Sequence, residues 1–173
     1  MITIDGGTGK IIHNGVNVAP AIMVNTWRIS STEKHEGTNA VITSDWEEND
    51  TGGYGKMGSS LTNSSGVFSF PQTGMYYILS HWRFLIGTAS DAAANVSLEI
   101  TTNGTDYSYA NIITVGDGAG GCHDHLSHQH VANITDTTNK KVQFASASMT
   151  NATLKGGTSQ VYGQCVFLRL ADN

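Results

Sequence analysis

The sequence is poor in charged residues. Only 13% of its 173 residues are Asp, Glu, Lys or Arg, about half of the quarter that is usual for soluble domains. The nine Lys and Arg residues are spread along the chain and cannot form the basic stripe that phosphate backbones require, so we predict no nucleic-acid partner. A net charge of only −5, together with 14 aromatic residues, also argues against intrinsic disorder.

Long hydrophobic runs and cysteines are scarce as well. No stretch approaches the roughly 18 apolar residues of a membrane-spanning helix, so we predict no membrane insertion. The residues from Met1 to Asp5 carry neither the basic nor the apolar region of a secretory signal, and we expect assembly in the cytosol. Cys122 and Cys165 could form one disulfide, but in a reducing cytosol we expect two free thiols.

No segment shows a helical period. Short alternating segments follow one another instead, with turn signals about every 8 to 12 residues, which is typical of an all-β sandwich or barrel. The clearest example lies around residues 93–115, where Asn103-Gly104 predicts a hairpin turn. In its first strand we expect Val96 and Leu98 to point inward and Ser97 and Glu99 outward.

The most informative stretch runs from Gly66 to Ile78. Phe68 and Phe70 are two residues apart, so a strand places both rings on one face. Pro71 has no N–H for a strand ladder and ends that strand, and Gly74 permits the backbone angles of a tight turn. A second aromatic strand follows, and we predict that one side of it faces the core: Tyr76, Ile78, Trp82 and Phe84.

The spacing Gly66-x-Phe68-x-x-Pro71-x-x-Gly74-x-Tyr76-Tyr77 resembles the central motif of the complement C1q-like globular domain, a relative of the tumour-necrosis-factor (TNF) jelly roll. Weaker similarities occur in the family's order over residues 20–171: Pro20-Ala21-Ile22, Val96-Ser97-Leu98 with Asn103-Gly104, Lys141-Val142, and Tyr162-Gly163 with Phe167-Leu168. The resemblance implies an all-β, antiparallel two-sheet jelly-roll sandwich that forms a homotrimer. The chain departs from the family in having no Gly-X-Y collagen stalk and no closing Phe-x-Gly-Phe run.

We predict two parts in the chain. Residues 1–18, rich in Gly and Asn, form a flexible N-terminal arm that tethers the protein to a larger assembly, and residues 19–173 form the jelly-roll domain. On the last strand we expect one set of residues to fill the protomer core: Tyr162, Val166, Leu168 and Leu170. The resemblance implies that the trimer interface contains Val161, Gly163, Cys165, Phe167, His128 and His130.

Four of the seven histidines fall within residues 122–130. A strand would project His123 and His125 from one face, and likewise His128 and His130, which is how imidazoles can share a metal ion. These four are our candidate metal ligands, and we expect no other cofactor. The resemblance places this strand by the threefold axis, where three imidazoles could bind a metal or an anion or make assembly pH-sensitive. Alternatively, they are surface or interface histidines bonded to neighbours and water.

Motifs of catalysis are absent from the sequence. It contains neither Gly-x-Ser-x-Gly nor His-Glu-x-x-His, and we predict a protein that is not an enzyme. The pattern His123-x-His125 is similar to the metal motif of the cupins, which share the jelly-roll fold. The Glu that follows it in cupins is missing here, and a metal-dependent cupin-type enzyme is our third hypothesis.

Thr, Ser, Asn and Gly make up 69 residues, so the surface is largely hydroxyl and amide and has little charge to desolvate at a contact. Our first hypothesis is a trimeric structural protein of a virus particle, such as a phage capsid decoration or knob or a tail-fibre tip. The arm would contact other virion proteins, and loops 47–53, 87–93 and 116–122 would contact a host surface. Our second hypothesis is a secreted or surface-exposed C1q-like module that binds a receptor or glycan.

Overall fold

The chain folds into β-strands. The structure is a computed structural model that describes residues 2–4, 11–13, 16–17, 22–33, 38–49, 53–91, 93–116 and 120–172, and no helix occurs among them. None of these residues therefore belongs to a helix able to cross a membrane. The strands are β1 (Ile2–Ile4), β2 (Ile11–His13), β3 (Val16–Asn17), β4 (Met23–Ile29), β5 (Ala40–Val41), β6 (Trp46–Glu48), β7 (Thr62–Ser64), β8 (Val67–Ser69), β9 (Gly74–Ile86), β10 (Asn95–Thr101), β11 (Tyr107–Thr114), β12 (His123–Ile134), β13 (Lys141–Ala147), β14 (Ala152–Leu154) and β15 (Gln164–Ala171).

Strands β4–β15 form two antiparallel sheets. The front sheet has the order β12-β9-β15-β4-β6, and β14 pairs with the end of β9. The back sheet has the order β11-β10-β13-β8-β7, and β5 pairs with β13. The predicted all-β, antiparallel two-sheet sandwich is confirmed.

Three short strands lie in the segment that we predict to be an arm. β1, β2 and β3 pair with one another as a separate antiparallel sheet. The remainder of residues 1–18 lies outside the described residues, as do Pro20 and Ala21 of the family resemblance. The role of this segment as a tether stays a prediction.

Strand β9 carries the core. Its thirteen residues alternate strictly between buried and half-buried, and Tyr76, Ile78, Trp82 and Phe84 are completely buried, as predicted. The Trp82 ring packs edge-on against Trp46 and Phe144, with ring centroids 5.9 and 5.2 Å apart. Such edge-to-face contacts stabilise an aromatic pair beyond the area that it buries.

The two glycines of the family motif are required by packing. Gly66 has a φ of +84°, and a Cβ there would lie 2.2 Å from the carbonyl oxygen of Ile42. Gly74 has a φ of +145°, and its Cβ would lie 2.5 Å from the carbonyl oxygen of Ala171. Both contacts are with backbone that cannot move aside, so no side chain fits at either glycine. The segment between them is not the hairpin that the sequence suggests, because it leads from β8 of the back sheet into β9 of the front sheet.

The predicted hairpin after β10 is confirmed, but the outward side of β10 was predicted wrongly. Ser97 is fully buried and Glu99 is 5% exposed. Glu99 accepts hydrogen bonds from the side-chain amides of Gln143 and Asn39. The Ser97 hydroxyl donates to the side-chain oxygen of Asn39, which precedes β5. These polar residues of β10 are therefore buried and hydrogen-bonded instead of solvated.

A buried histidine links the two sheets. His128 of β12 is completely inaccessible, and its Nε2 lies 3.1 Å from the carbonyl oxygen of Val96 in the back sheet. Because a carbonyl only accepts, Nε2 carries the proton and Nδ1 is the acceptor. The Ser80 hydroxyl donates to Nδ1 across 2.8 Å, and the Trp82 indole N–H donates to the Ser80 oxygen, also across 2.8 Å. The imidazole is therefore fully satisfied in its neutral form.

This arrangement predicts that stability falls in mild acid. Burial lowers the pKa of His128 from 6.5 to about 4, and the hydrogen bond to Val96 only partly opposes that shift. The unfolded chain therefore takes up a proton near pH 6.5 that the folded chain takes up only near pH 4. We expect the free energy of unfolding to fall by up to about 3 kcal/mol between these pH values.

Urea unfolding at fixed protein concentration, at pH 7 and at pH 4.5, measures this loss. His128→Gln should be less stable at pH 7 but should show a much smaller loss on acidification. His123→Gln, which changes an exposed histidine of the same strand, should behave as the wild type. An unchanged pH dependence in His128→Gln would refute the assignment.

Candidate functional site

The last strand turns its other side to the core. Cys165 and Phe167 are completely buried within one protomer, and Gly163 is buried so closely that a Cβ would meet Ile29 and Trp82. These three residues therefore cannot lie in a trimer interface, and that prediction is wrong. Val161, from the same set, is half-buried and lies before β15 begins.

Three of the four residues predicted for the core occupy the opposite face of this strand, and the fourth, Tyr162, is half-buried and precedes β15. Val166 and Leu168 are half-buried, and Leu170 is 50% exposed. The Phe167 ring instead packs inward against Phe68, with centroids 5.2 Å apart. Both sides of β15 are apolar, so its alternation alone does not tell which side faces in.

The two cysteines are free thiols, as predicted. Cys165 is fully buried in the front sheet, and burial raises the pKa of its thiol well above the usual value. Cys122 is half-buried before β12. A buried thiol with a raised pKa is unreactive, so Cys165 serves as a small core residue.

The four candidate metal ligands do not form one site. His128 lies in the core, and His130 is half-buried on the same side of β12. His123 and His125 are exposed on the opposite side. The four cannot share one ion, because His125 and His128 are three positions apart and the two pairs therefore project from opposite faces of the strand. Within the described residues, no group of three or more His, Cys, Asp or Glu could hold a metal.

His128 also cannot serve a trimer interface, because it is sealed between the sheets. His130 lies on the core side of β12 and is half-buried there. Its predicted interface role is therefore also without support from its position. The histidines that remain available on the front sheet are those on the odd-numbered side of β12 and one on β9.

The structure pairs His125 with a histidine that the sequence did not single out. His81 of β9 lies opposite Ser127 of β12, which places it diagonally across from His125. The His125 Nδ1 and His81 Nε2 atoms are 3.3 Å apart, and the rings are inclined by only 22°. The other nitrogen of His81, Nδ1, lies 3.2 Å from the Ser127 hydroxyl. Burial, followed by the proximity of His125, lowers the pKa of His81.

An apolar row crosses the exposed face of the front sheet. It consists of direct cross-strand partners, together with Met57, which bridges to β4: Val131, Tyr77, Leu168, Val24 and Met57. Val131 is 52% exposed and Met57 56% exposed. Leu170 and Ile22, which are 50% and 59% exposed, flank the row. We call the five residues from Val131 to Met57 the apolar row. From this row toward His81 and His125, the residues on the same face become more polar.

A small polar cavity lies at the β4–β6 edge of the front sheet. It has a volume of about 230 Å³ and is lined by Thr26, Glu48, Asn49, Tyr54 and Lys56. Asn49 is 6% exposed, and neither polar atom of its side chain has a hydrogen-bond partner among the described residues. A buried amide without partners is costly, so this site calls for a polar occupant.

The neighbouring carboxylate of this cavity is already satisfied. Glu48 accepts hydrogen bonds from the Lys56 ammonium at 3.0 Å and from the Ser60 hydroxyl at 2.9 Å. Burial opposes its ionisation, but these bonds and one from Asn25 outweigh burial and lower the pKa of Glu48. Asn49 therefore is a buried lining residue whose side chain makes no hydrogen bond within the described part of the chain.

The three loops predicted to bind a host surface differ. The first, 47–53, contributes Glu48 and Asn49 to the cavity, although 50–52 lie outside the described residues. In the second, 87–93, the Asp91 carboxylate accepts hydrogen bonds from the backbone N–H groups of Asn151 and Ala152, so this residue organises the fold. Most of the tip of the third loop, 116–122, lies outside the described residues, and its binding role stays a prediction.

Comparison with known proteins identifies the fold. No family model matches the sequence, and no curated protein matches it. Among solved structures, the chain is similar to murine APRIL at pH 5.0, with a TM-score of 0.63 and 12% identity over 86% of this chain and 99% of that one. It is also similar to Eiger TNF from S. frugiperda, with a TM-score of 0.60 and 11% identity over 90% of this chain and 96% of that one. The chain has a TNF-like jelly-roll fold.

Proposed function

We propose that the protein is a non-enzymatic, homotrimeric TNF/C1q-like module that serves a structural role in a larger assembly. The observation that carries this proposal is the apolar row on the front sheet. A row of cross-strand partners with half-exposed apolar side chains extends from Val131 to Met57. Contiguous exposed apolar surface of this kind marks a contact with another protein.

The occupant of that surface is a second and a third copy of the chain. The row lies on an open sheet face, and its neighbours Leu79 and Val166 extend it by a second apolar pair. Head-to-tail contacts between copies close into a ring when the rotation between them is a third of a turn. The family resemblance implies a trimer, in which copies are related by this rotation. Contacts between the copies would then cover the apolar row in every protomer.

The setting that we propose for the trimer is a virus particle, with an extracellular location as the alternative. What supports the virion is composition: a surface rich in Thr, Ser, Asn and Gly, with only 13% charged residues, suits dense packing among neighbours. The N-terminal segment would then contact other virion proteins.

A second candidate function, recognition of a glycan on a receptor or host surface, is favoured by the cavity at Asn49. The free amide offers two donors and an acceptor, which suits neighbouring sugar hydroxyls. The Tyr54 ring at the cavity is 44% exposed and offers an apolar face for a sugar ring. Glu48 and Lys56 form an ion pair, so the lining adds no net charge that would favour a charged ligand.

The trimer predicts a mass of three times 18.4 kDa in sedimentation or light scattering of the full chain. Val131→Asp should produce monomers at micromolar concentration, because a charge in the covered row would be desolvated without a partner. Ile112→Asp is the matched control, since Ile112 is 50% exposed but lies on β11 of the back sheet, and it should remain trimeric. A monomeric wild type, or a trimeric Val131→Asp, would contradict the proposal.

Glycan recognition predicts that neutral hexoses or N-acetylhexosamines give saturation-transfer NMR signals with the full chain. Asn49→Ala should lose that binding without losing stability, because truncation removes a buried amide that has no partner. Asn111→Ala, on the edge strand of the back sheet, should bind as the wild type. Absence of any sugar signal from the wild type, or retained binding by Asn49→Ala, would exclude this second function.

The virion setting predicts co-sedimentation. The purified trimer should sediment with assembled phage capsids or tails that lack it, and a chain without residues 1–18 should not. If the trimer binds cells or glycans but no particle, the extracellular alternative is correct.

A further inference from the structure

The His81–His125 pair has the spacing of two ligands on one metal ion. In tetrahedral zinc sites the metal–nitrogen distance is about 2.0 to 2.1 Å, which places adjacent ligand nitrogens about 3.3 to 3.4 Å apart. The His125 Nδ1 and His81 Nε2 atoms are 3.3 Å apart. The two strands that carry the rings are hydrogen-bonded neighbours along twelve residue pairs, so the backbone holds this spacing.

The surroundings select the nitrogen that is free to bind. Ser127 lies directly opposite His81, and its hydroxyl is 3.2 Å from the His81 Nδ1. When Nδ1 donates its proton to this hydroxyl, the lone pair is left on Nε2, the atom that faces His125. Metal-binding histidines are commonly fixed in this way, by a hydrogen bond from the ring nitrogen that does not bind the ion.

A neighbouring cation is engaged by an aromatic ring. Arg83 is the direct cross-strand partner of His125, but its guanidinium carbon lies over the Tyr162 ring, 5.0 Å from the ring centroid. This contact occupies the guanidinium on an aromatic face. The pair is also accessible, because His125 is exposed and His81 is half-buried on the open side of the front sheet.

We propose that His81 and His125 form a chelating site for a divalent first-row transition-metal ion such as Zn²⁺ or Ni²⁺, for which imidazole is a preferred ligand. The site differs from the four-histidine cluster of the sequence, because only one of its two ligands belongs to that cluster. Both ligands come from one protomer, so the site does not depend on the proposed trimer. Water completes the coordination in a single protomer, and the same pair from neighbouring copies can complete it in a trimer.

Calorimetric titration of the untagged full chain with ZnCl₂ and with NiCl₂ tests the site. We expect saturable binding, and His81→Gln and His125→Gln should each weaken it by at least about tenfold, the smallest loss seen when even a supporting residue of a metal site is changed. His123→Gln, also exposed on β12, should bind as the wild type. Circular dichroism confirms folding of each variant. As an independent readout, adding Zn²⁺ to the wild type should perturb the imidazole NMR signals of His81 and His125.

The outcomes separate this site from the proposed assembly. A stoichiometry of one ion per chain indicates autonomous pairs, and one ion per three chains indicates a shared site; both support the pair if the His81 and His125 variants lose binding. A monomer that binds metal keeps the site and refutes the trimer. A trimer that binds no metal, or one in which His123→Gln weakens binding as much as His81→Gln, overturns the site and leaves the trimer intact.

Discussion

The whole structure depends on the aromatic layer between the two sheets. The Phe68 ring meets Trp46 and Phe167 at centroid distances of 4.9 and 5.2 Å, and Trp82 meets Phe144 at 5.2 Å. Each ring comes from a different strand, so the layer fixes how the strands are stacked as well as burying apolar area. Truncation of one such ring to Ala would cost about 3 to 5 kcal/mol. Once these rings are inside, the alternation of each strand decides what is left outside.

Local chemistry made the centre of the fold predictable. The aromatic side of β9 is apolar except for Ser80, and its other side carries His81 and Arg83, so the buried face was predicted correctly. The spacing of Gly66 and Gly74 reflects two places where backbone passes within 2.5 Å of a would-be Cβ. Where both sides of a strand are apolar, as in β15, the sequence contains no such contrast. The side that faces Phe68 is then decided by packing between distant segments.

The candidate sites could not be predicted for a related reason. His81 and His125 are 44 residues apart, and only the register between β9 and β12 brings their nitrogens together. The four clustered histidines are close together in the sequence, yet they divide between the core side and the exposed side of β12. Asn49 resembles twelve other asparagines in the sequence, and its missing partners appear only when the surrounding segments are folded. A spacing of two residues along a strand predicts that two side chains share a face, but it does not predict which residues of the neighbouring strand lie beside them.

His128 in the core and His125 on the surface are only three positions apart on β12, and their different surroundings change the chemistry of the two rings. His128 is held neutral because burial disfavours its charged form. His81 already experiences part of that effect on the open face, where water still reaches it. If three copies cover the apolar row, water is withdrawn from the adjoining His81–His125 pair as well, and the neutral rings gain further over the charged ones. The neutral imidazole is the form that binds a metal ion, so burial of the row would weaken the competition from protons at the pair, although it would also make the charged ion more costly to desolvate.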